Sequence, residues 1–94
     1  METVRWDEQK NSWLRQYRGV SFEQAAVRLA LERVLDVTDH PTQERYPGQK
    51  VAVIEIDGYA YLVPYERVGG DIVLKTMIPS RKATRKQKNE ERQT

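Results

Sequence analysis

Asp57-Gly58 stands between two strand-like runs, "KVAVIEI" (50–56) and "YAYLVPYE" (59–66), and this link constrains the fold more than any other feature of the chain. Glycine accepts a positive φ at little steric cost, so a two-residue Asp-Gly link is a strong type I′ hairpin signal. Gly69-Gly70 reverses the chain again before a third run, "DIVLKTMI" (71–78). Three strands joined by tight reversals predict an antiparallel sheet. Pro64 lies inside the second strand and has no N–H for a ladder, so its amide side is expected at an edge, a bulge or solvent.

The helical signals come earlier. "TVRW" (3–6) reads as a short edge strand, and Asp7 is suited to cap a helix from Glu8 to about Arg18, with Gly19 as its stop. Ser21 and Gln24 have the spacing of a capping box, which predicts a second helix from Phe22 to about Leu35. One apolar stripe of that helix holds Phe22, Ala26 and Leu29; a second holds Val27, Leu31, Val34 and Leu35. So apolar a helix is expected deep in the core, or with its second face covered by a partner. Residues 36–49, punctuated by Pro41 and Pro47-Gly48, read as a loop. Ser80 then caps a final helix to about Glu91, whose only clearly apolar residue is Ala83, so residues 87–94 are expected to fray.

The resulting order, β-α-α-β-β-β-α, defines an α+β domain over 1–94: a small antiparallel sheet with two N-terminal helices on one face and a basic C-terminal helix. The expected core is Trp6, Leu14, Phe22, Ala26, Leu29, Val53, Leu62 and Leu74.

Ninety-four residues leave room for one core. No apolar run approaches the ~20 residues of a membrane span, and no signal-peptide pattern opens the chain. With no cysteine, disulfides, thiolate metal sites and a cysteine nucleophile are excluded, and a reducing cytoplasm is the expected location. The net charge of +2 conceals an asymmetry: residues 1–74 carry 9 Lys/Arg against 12 Asp/Glu, and residues 75–94 carry 7 against 2. A basic end on a mildly acidic body suits a polyanion, an acidic protein partner, or simple solvation.

His40 is the sole histidine and has no carboxylates at ligand spacing, so neither metal nor cofactor is expected. It serves either the turn in "TDHP" or, since histidine titrates near neutrality, a general base. No Gly-rich phosphate loop, G-x-S-x-G elbow or dinucleotide fingerprint is present. What remains is cationic and aromatic: Lys10, Arg15 and Arg18 on the first helix, Arg67 and Lys75 about the last hairpin, and Arg81, Lys82, Arg85 and Lys86 opening the last helix. Tyr59, Tyr61 and Tyr65 share a strand face, where they either cover the core or offer stacking rings to unpaired bases.

"WDEQKNSWLRQYRGVSFEQA" (6–25), "ERY" (44–46), "YLVPYER" (61–67) and "IPSRKATRK" (78–86) resemble, in this order along nearly the whole chain, the BrnT toxins of bacterial type II toxin–antitoxin pairs. The resemblance implies a RelE-like fold and a metal-independent endoribonuclease that blocks translation and growth. It also implies a cognate antitoxin with a ribbon-helix-helix DNA-binding end, through which operator DNA is bound. Glu44, Arg45, Glu66, Arg67, Arg81 and Lys82 match the family pattern. Arg18 stands where the family has histidine, Tyr17 where it has lysine, and Thr76 where a basic residue is common, with Lys75 one place away.

Metal-free cleavage uses the substrate's own 2′-hydroxyl, which attacks the adjacent phosphate and leaves a 2′,3′-cyclic phosphate and a 5′-hydroxyl end. Arg81, Arg67 and Arg18 are the expected stabilisers of the phosphorane charge. Glu66, Glu44 or His40 is the expected proton acceptor. Lys10, Arg15, Arg45, Tyr61, Lys75, Lys82, Arg85 and Lys86 are the expected RNA contacts. The scheme requires the three arginines to converge beside the start of the last helix. Two other readings use the same residues: a nucleic-acid-binding module without catalysis, and a protein-interaction subunit.

Overall fold

Asp7 starts the first helix as its chemistry requires. In the computed structural model, which describes residues 3–92, its carboxylate accepts from the Gln9 amide at 2.9 Å. Helix α1 spans Glu8–Tyr17 and ends at Arg18, and Gly19 at φ +68° redirects the chain. The expected Ser21–Gln24 capping box opens α2, Phe22–Ala30. Asn11, fully buried on α1, adds a second cap: its Oδ1 accepts from the Phe22 amide at 2.8 Å, and its Nδ2 donates to Glu23 Oε1 at 2.6 Å. One side chain thus ties the two helices together.

Helix α2 ends at Ala30 rather than near Leu35. Glu32 adopts φ +56°, and the amides of Glu32 and Arg33 bond back to the carbonyls of Leu29 (3.2 Å) and Arg28 (2.8 Å). This is a Schellman closure with glutamate in the left-handed position usually held by glycine. The released residues run onto the sheet, where Leu35 donates to the Val53 carbonyl at 2.8 Å. Asp36–Asp39, expected as loop, form strand β2.

Strand β1 is Thr3–Arg5, β3 is Lys50–Ile56, β4 is Tyr59–Val68, β5 is Asp71–Leu74 and β6 is Ile78–Pro79. They form one sheet in the order β1-β5-β4-β3-β2, with β6 paired to β4. Among the described residues only β1 and β5 pair in parallel; β1 is an edge strand as expected. Asp57 (φ 52°) and Gly58 (φ 81°) make the β3–β4 turn, both with the positive φ that a type I′ link demands.

The strand expected over 71–78 is interrupted. Leu74 pairs with Tyr65 and Ile78 with Leu62, so Lys75, Thr76 and Met77 face only Val63 and Pro64. The extra residue makes a bulge. The Pro64 carbonyl accepts from Lys75 at 2.9 Å, so its ring nitrogen faces the same interruption and deprives no regular ladder of a donor. Met77 turns fully into the core.

The core lies between the sheet and the pair α1 and α2. Leu14, Phe22 and Ala25 meet Ala52, Ile54, Ile56, Val63, Tyr65 and Leu74 there. Three expected core members move: Ala25 replaces Ala26, Ile54 replaces Val53, and Val63 replaces Leu62. On a strand a one-residue shift exchanges faces, so Val53 and Leu62 lie opposite. There they line a groove of about 810 Å³ together with Leu35, Ala83, Lys86 and Gln87. Trp6 and Leu29 are half-buried at the margin of the core. Helix α3, Arg81–Arg92, packs against β4. Residues 87–92, expected to fray, continue the helix, and 93–94 lie outside the described residues. No described helix is long and apolar enough to cross a membrane.

Candidate functional site

A helix without an apolar stripe needs another anchor, and α3 has one in its first turn. Ser80 donates its amide to the Ala60 carbonyl at 2.9 Å, while its hydroxyl and carbonyl accept from Ala83 and Thr84, each at 3.1 Å. The Thr84 hydroxyl, in a residue only 5% exposed, accepts from the Ala60 amide at 2.8 Å and donates to the Ser80 carbonyl at 2.7 Å. One turn later Gln87 bonds the Glu55 carboxylate. Polar contacts thus hold the inner face, and the cations turn outward. Arg81, Lys82, Arg85 and Lys86 line a shallow hollow of about 580 Å³ with Asn89 and Glu90. Among the described residues none of these four cations is ion-paired.

Arg18 reaches this region from the other end of the chain. Its guanidinium donates to the Met77 carbonyl, inside the bulge, and also lies 4.8 Å from the Trp13 ring centroid. Arg81 is four residues beyond Met77, a chain span of at most about 14 Å. Arg18, Thr76 and the start of α3 therefore share one neighbourhood. Lys10 approaches the same Trp13 ring at 4.5 Å. Arg15 points elsewhere and is paired with Glu23.

Arg67 does not join them. It stands six residues along β4 from Tyr61, whose partner Pro79 precedes the α3 cap, a separation of about 20 Å. Its neighbour is Lys50: the hydrogen bond that Lys50 donates to the Asp39 carboxylate raises the Lys50 pKa, and the Arg67 charge opposes that rise. The strand thus sets Arg67 apart from the start of α3, whereas Arg18 bonds the bulge four residues before Arg81. Glu66 and Arg67, adjacent on one strand, project to opposite faces. Glu66 pairs with Lys75 at 3.3 Å, which ties its carboxylate to the bulge.

The remaining candidates lie in the loop between β2 and β3. His40 Nδ1 accepts from the Thr42 amide at 3.0 Å, and its ring lies 4.6 Å from that of Tyr46. Used as an acceptor within its own turn, Nδ1 has no lone pair left for a substrate proton. Arg45 sits 5.7 Å from the Tyr46 ring and Glu44 is exposed. Tyr65 is buried and Tyr61 packs against the core, which assigns the shared tyrosine face mainly to packing. No group of three or more potential metal ligands occurs among the described residues.

Two features escaped the sequence reading. Asn11 looks like an ordinary polar residue of a surface helix, and only the fold carries it to the start of α2. Trp13 and Tyr17 keep 39% and 65% exposure, with ring centroids 5.6 Å apart. Their spacing of four was visible in the sequence, but which way α1 turned was not.

Comparison with protein-family models, with curated proteins and with solved structures finds no match to this chain.

Proposed function

We propose that the protein is an RNA-cleaving toxin of the BrnT kind. It works in the cytoplasm without a metal and is restrained by a cognate antitoxin, probed most simply as the product of a neighbouring gene. The observation that carries this reading is the bond from Arg18 to the Met77 carbonyl. It brings residue 18 to the bulge that contains Thr76, four residues before Arg81, which supports a shared role for these positions.

In this scheme Arg18 and Arg81 bind the scissile phosphate and stabilise the charge of the phosphorane. Glu66, held beside the bulge by Lys75, takes the proton of the attacking 2′-hydroxyl. The bond from phosphorus to the 5′-oxygen breaks, and that oxygen takes a proton from water. Lys82, Arg85 and Lys86 carry the flanking phosphates along α3. Arg67 and Arg45 are contacts for a longer strand in this scheme. Val27, Leu31 and Leu35 are 55%, 58% and 47% exposed, an uncovered apolar surface that supports a protein partner.

A binding module without catalysis is the second reading. The projection of Glu66 and Arg67 to opposite faces favours it, because the dipeptide cannot supply both the base and the phosphate clamp of one active site.

Inducible expression with and without the neighbouring gene, followed by RNA end-mapping, tests the proposal. Cleavage with chelator present, 5′-hydroxyl ends, and a loss of about 100-fold or more in Arg81→Ala or Arg18→Ala are expected. Growth arrest that persists with folded Arg81→Ala protein refutes the site. RNA binding without cut ends selects the second reading.

A further inference from the structure

Helix α1 carries an exposed assembly that the proposed cleavage does not use in full. Lys10, Trp13 and Tyr17 follow one another at i, i+3 and i+7, so they form a single stripe. The Trp13 ring holds two cations, with the Lys10 ammonium 4.5 Å and the Arg18 guanidinium 4.8 Å from its centroid. Tyr17 leans against it at 5.6 Å with a 43° tilt and remains 65% exposed. The indole thus braces the cations, and the phenol ring offers an open π-face beside them.

We propose that Tyr17 is a stacking platform for one unpaired RNA base, with Lys10 and Arg18 taking the phosphate attached to it. This deepens the RNA-directed reading above and rests on it. Two chemical properties of the cluster favour a nucleotide over other ligands. A base needs a flat apolar surface, and its phosphate needs fixed positive charge one nucleotide step away; here both come from one helix stripe. Arg18 also belongs to the bulge, so a base on Tyr17 is held next to the scissile phosphate. A paired base has both faces occupied within its stack and cannot enter. The platform therefore selects single-stranded RNA.

The test uses the full chain and a 2′-O-methyl oligoribonucleotide, whose blocked 2′-oxygen permits binding and prevents cleavage. Affinity is read by fluorescence anisotropy for a single strand, the same strand with one abasic position, and a duplex of equal length. Tyr17→Leu is expected to weaken single-strand binding about 10-fold or more, and Tyr17→Phe, which keeps the ring, less than about 3-fold. The best-placed abasic strand should bind the wild type more weakly and Tyr17→Leu no more weakly than the intact strand. Equal affinity of Tyr17→Leu and wild type, or of duplex and single strand, overturns the platform while leaving the toxin reading intact. Failure of the wild type to bind any RNA overturns both. Loss of binding to the neighbouring gene product in Tyr17→Leu, with RNA affinity unchanged, assigns the surface to protein and also overturns the platform.

Discussion

Replacing Asn11 with alanine should cost more stability than any single polar substitution on the outer surface of α1. Two contacts disappear. The Phe22 amide, now accepted by Asn11 Oδ1 at 2.8 Å in a fully buried setting, loses its partner. An orphaned buried donor costs ~1–3 kcal/mol. The Nδ2 bond to Glu23 at 2.6 Å is charge-assisted, but that carboxylate side chain is 48% exposed, so screening holds its share below ~1 kcal/mol. The expected loss is ~2–3 kcal/mol, a large part of the ~5–14 kcal/mol available to a chain of this length. At ~4–8 °C per kcal/mol, the melting temperature should fall by about 10–20 °C. Urea denaturation followed by circular dichroism gives the free energy directly. Glutamate 23 supplies a second readout: the Asn11 hydrogen bond is the main cause of its lowered pKa, with Arg15 adding its charge. A carboxylate with a depressed folded pKa stabilises above its unfolded value, ~4.3, and loses that contribution as pH falls through the folded value. Stability of the wild type should therefore drop more steeply below about pH 4.3 than that of Asn11→Ala. A folded Asn11→Ala protein within ~0.5 kcal/mol of wild type would refute the reasoning, because a surface asparagine gives that result.

Thr84→Val should destabilise by ~1–3 kcal/mol, since the Ala60 amide loses its buried acceptor, and trypsin should then cut α3 faster at its lysines and arginines. Thr84→Ser keeps the hydroxyl and should retain most of both properties; equal behaviour of valine and serine would remove the hydroxyl as the anchor. Arg18→Ala and Arg81→Ala should abolish cleavage while Arg67→Ala lowers it less than about 10-fold, because Arg18 bonds the bulge and Arg81 opens α3 just beyond it, while Arg67 stands farther along β4; rate measurements on one RNA decide this.

Features whose chemistry is local were legible in the sequence. Asp7, Ser21 with Gln24, Asp57-Gly58 and Ser80 each act within a few residues, and each starts or turns an element where expected. The end of α2 was not legible, because its left-handed residue is Glu32, which no propensity rule singles out as a stop. Strand β2 was hidden for a related reason: "DVTD" is wholly exposed and gains its structure from pairing with β3. The choice of face along β3 and β4 depended on registry against the helices, and a one-residue error carried Val53 and Leu62 to the wrong side. In the site, the basic start of α3 was visible as a charge run. The separation of Arg67 from Arg81 was not, since distance along a strand becomes distance in space only when the partners of that strand are known.

The parallel pairing of β1 with β5 has a consequence for how the molecule is made. Thr3 meets Asp71, so this ladder cannot form until residue 71 has been synthesised. Joining ends this far apart costs ~4 kcal/mol in loop-closure entropy before a single bond of that ladder is gained, whereas β3 and β4 need only their two-residue turn. The hairpin is expected to zip first and β1 to arrive last, an order that pulsed amide labelling during refolding would confirm or reverse. Until it arrives, the outer rim of β5 is an open template, and a nascent or N-terminally clipped chain exposes it to any neighbouring strand.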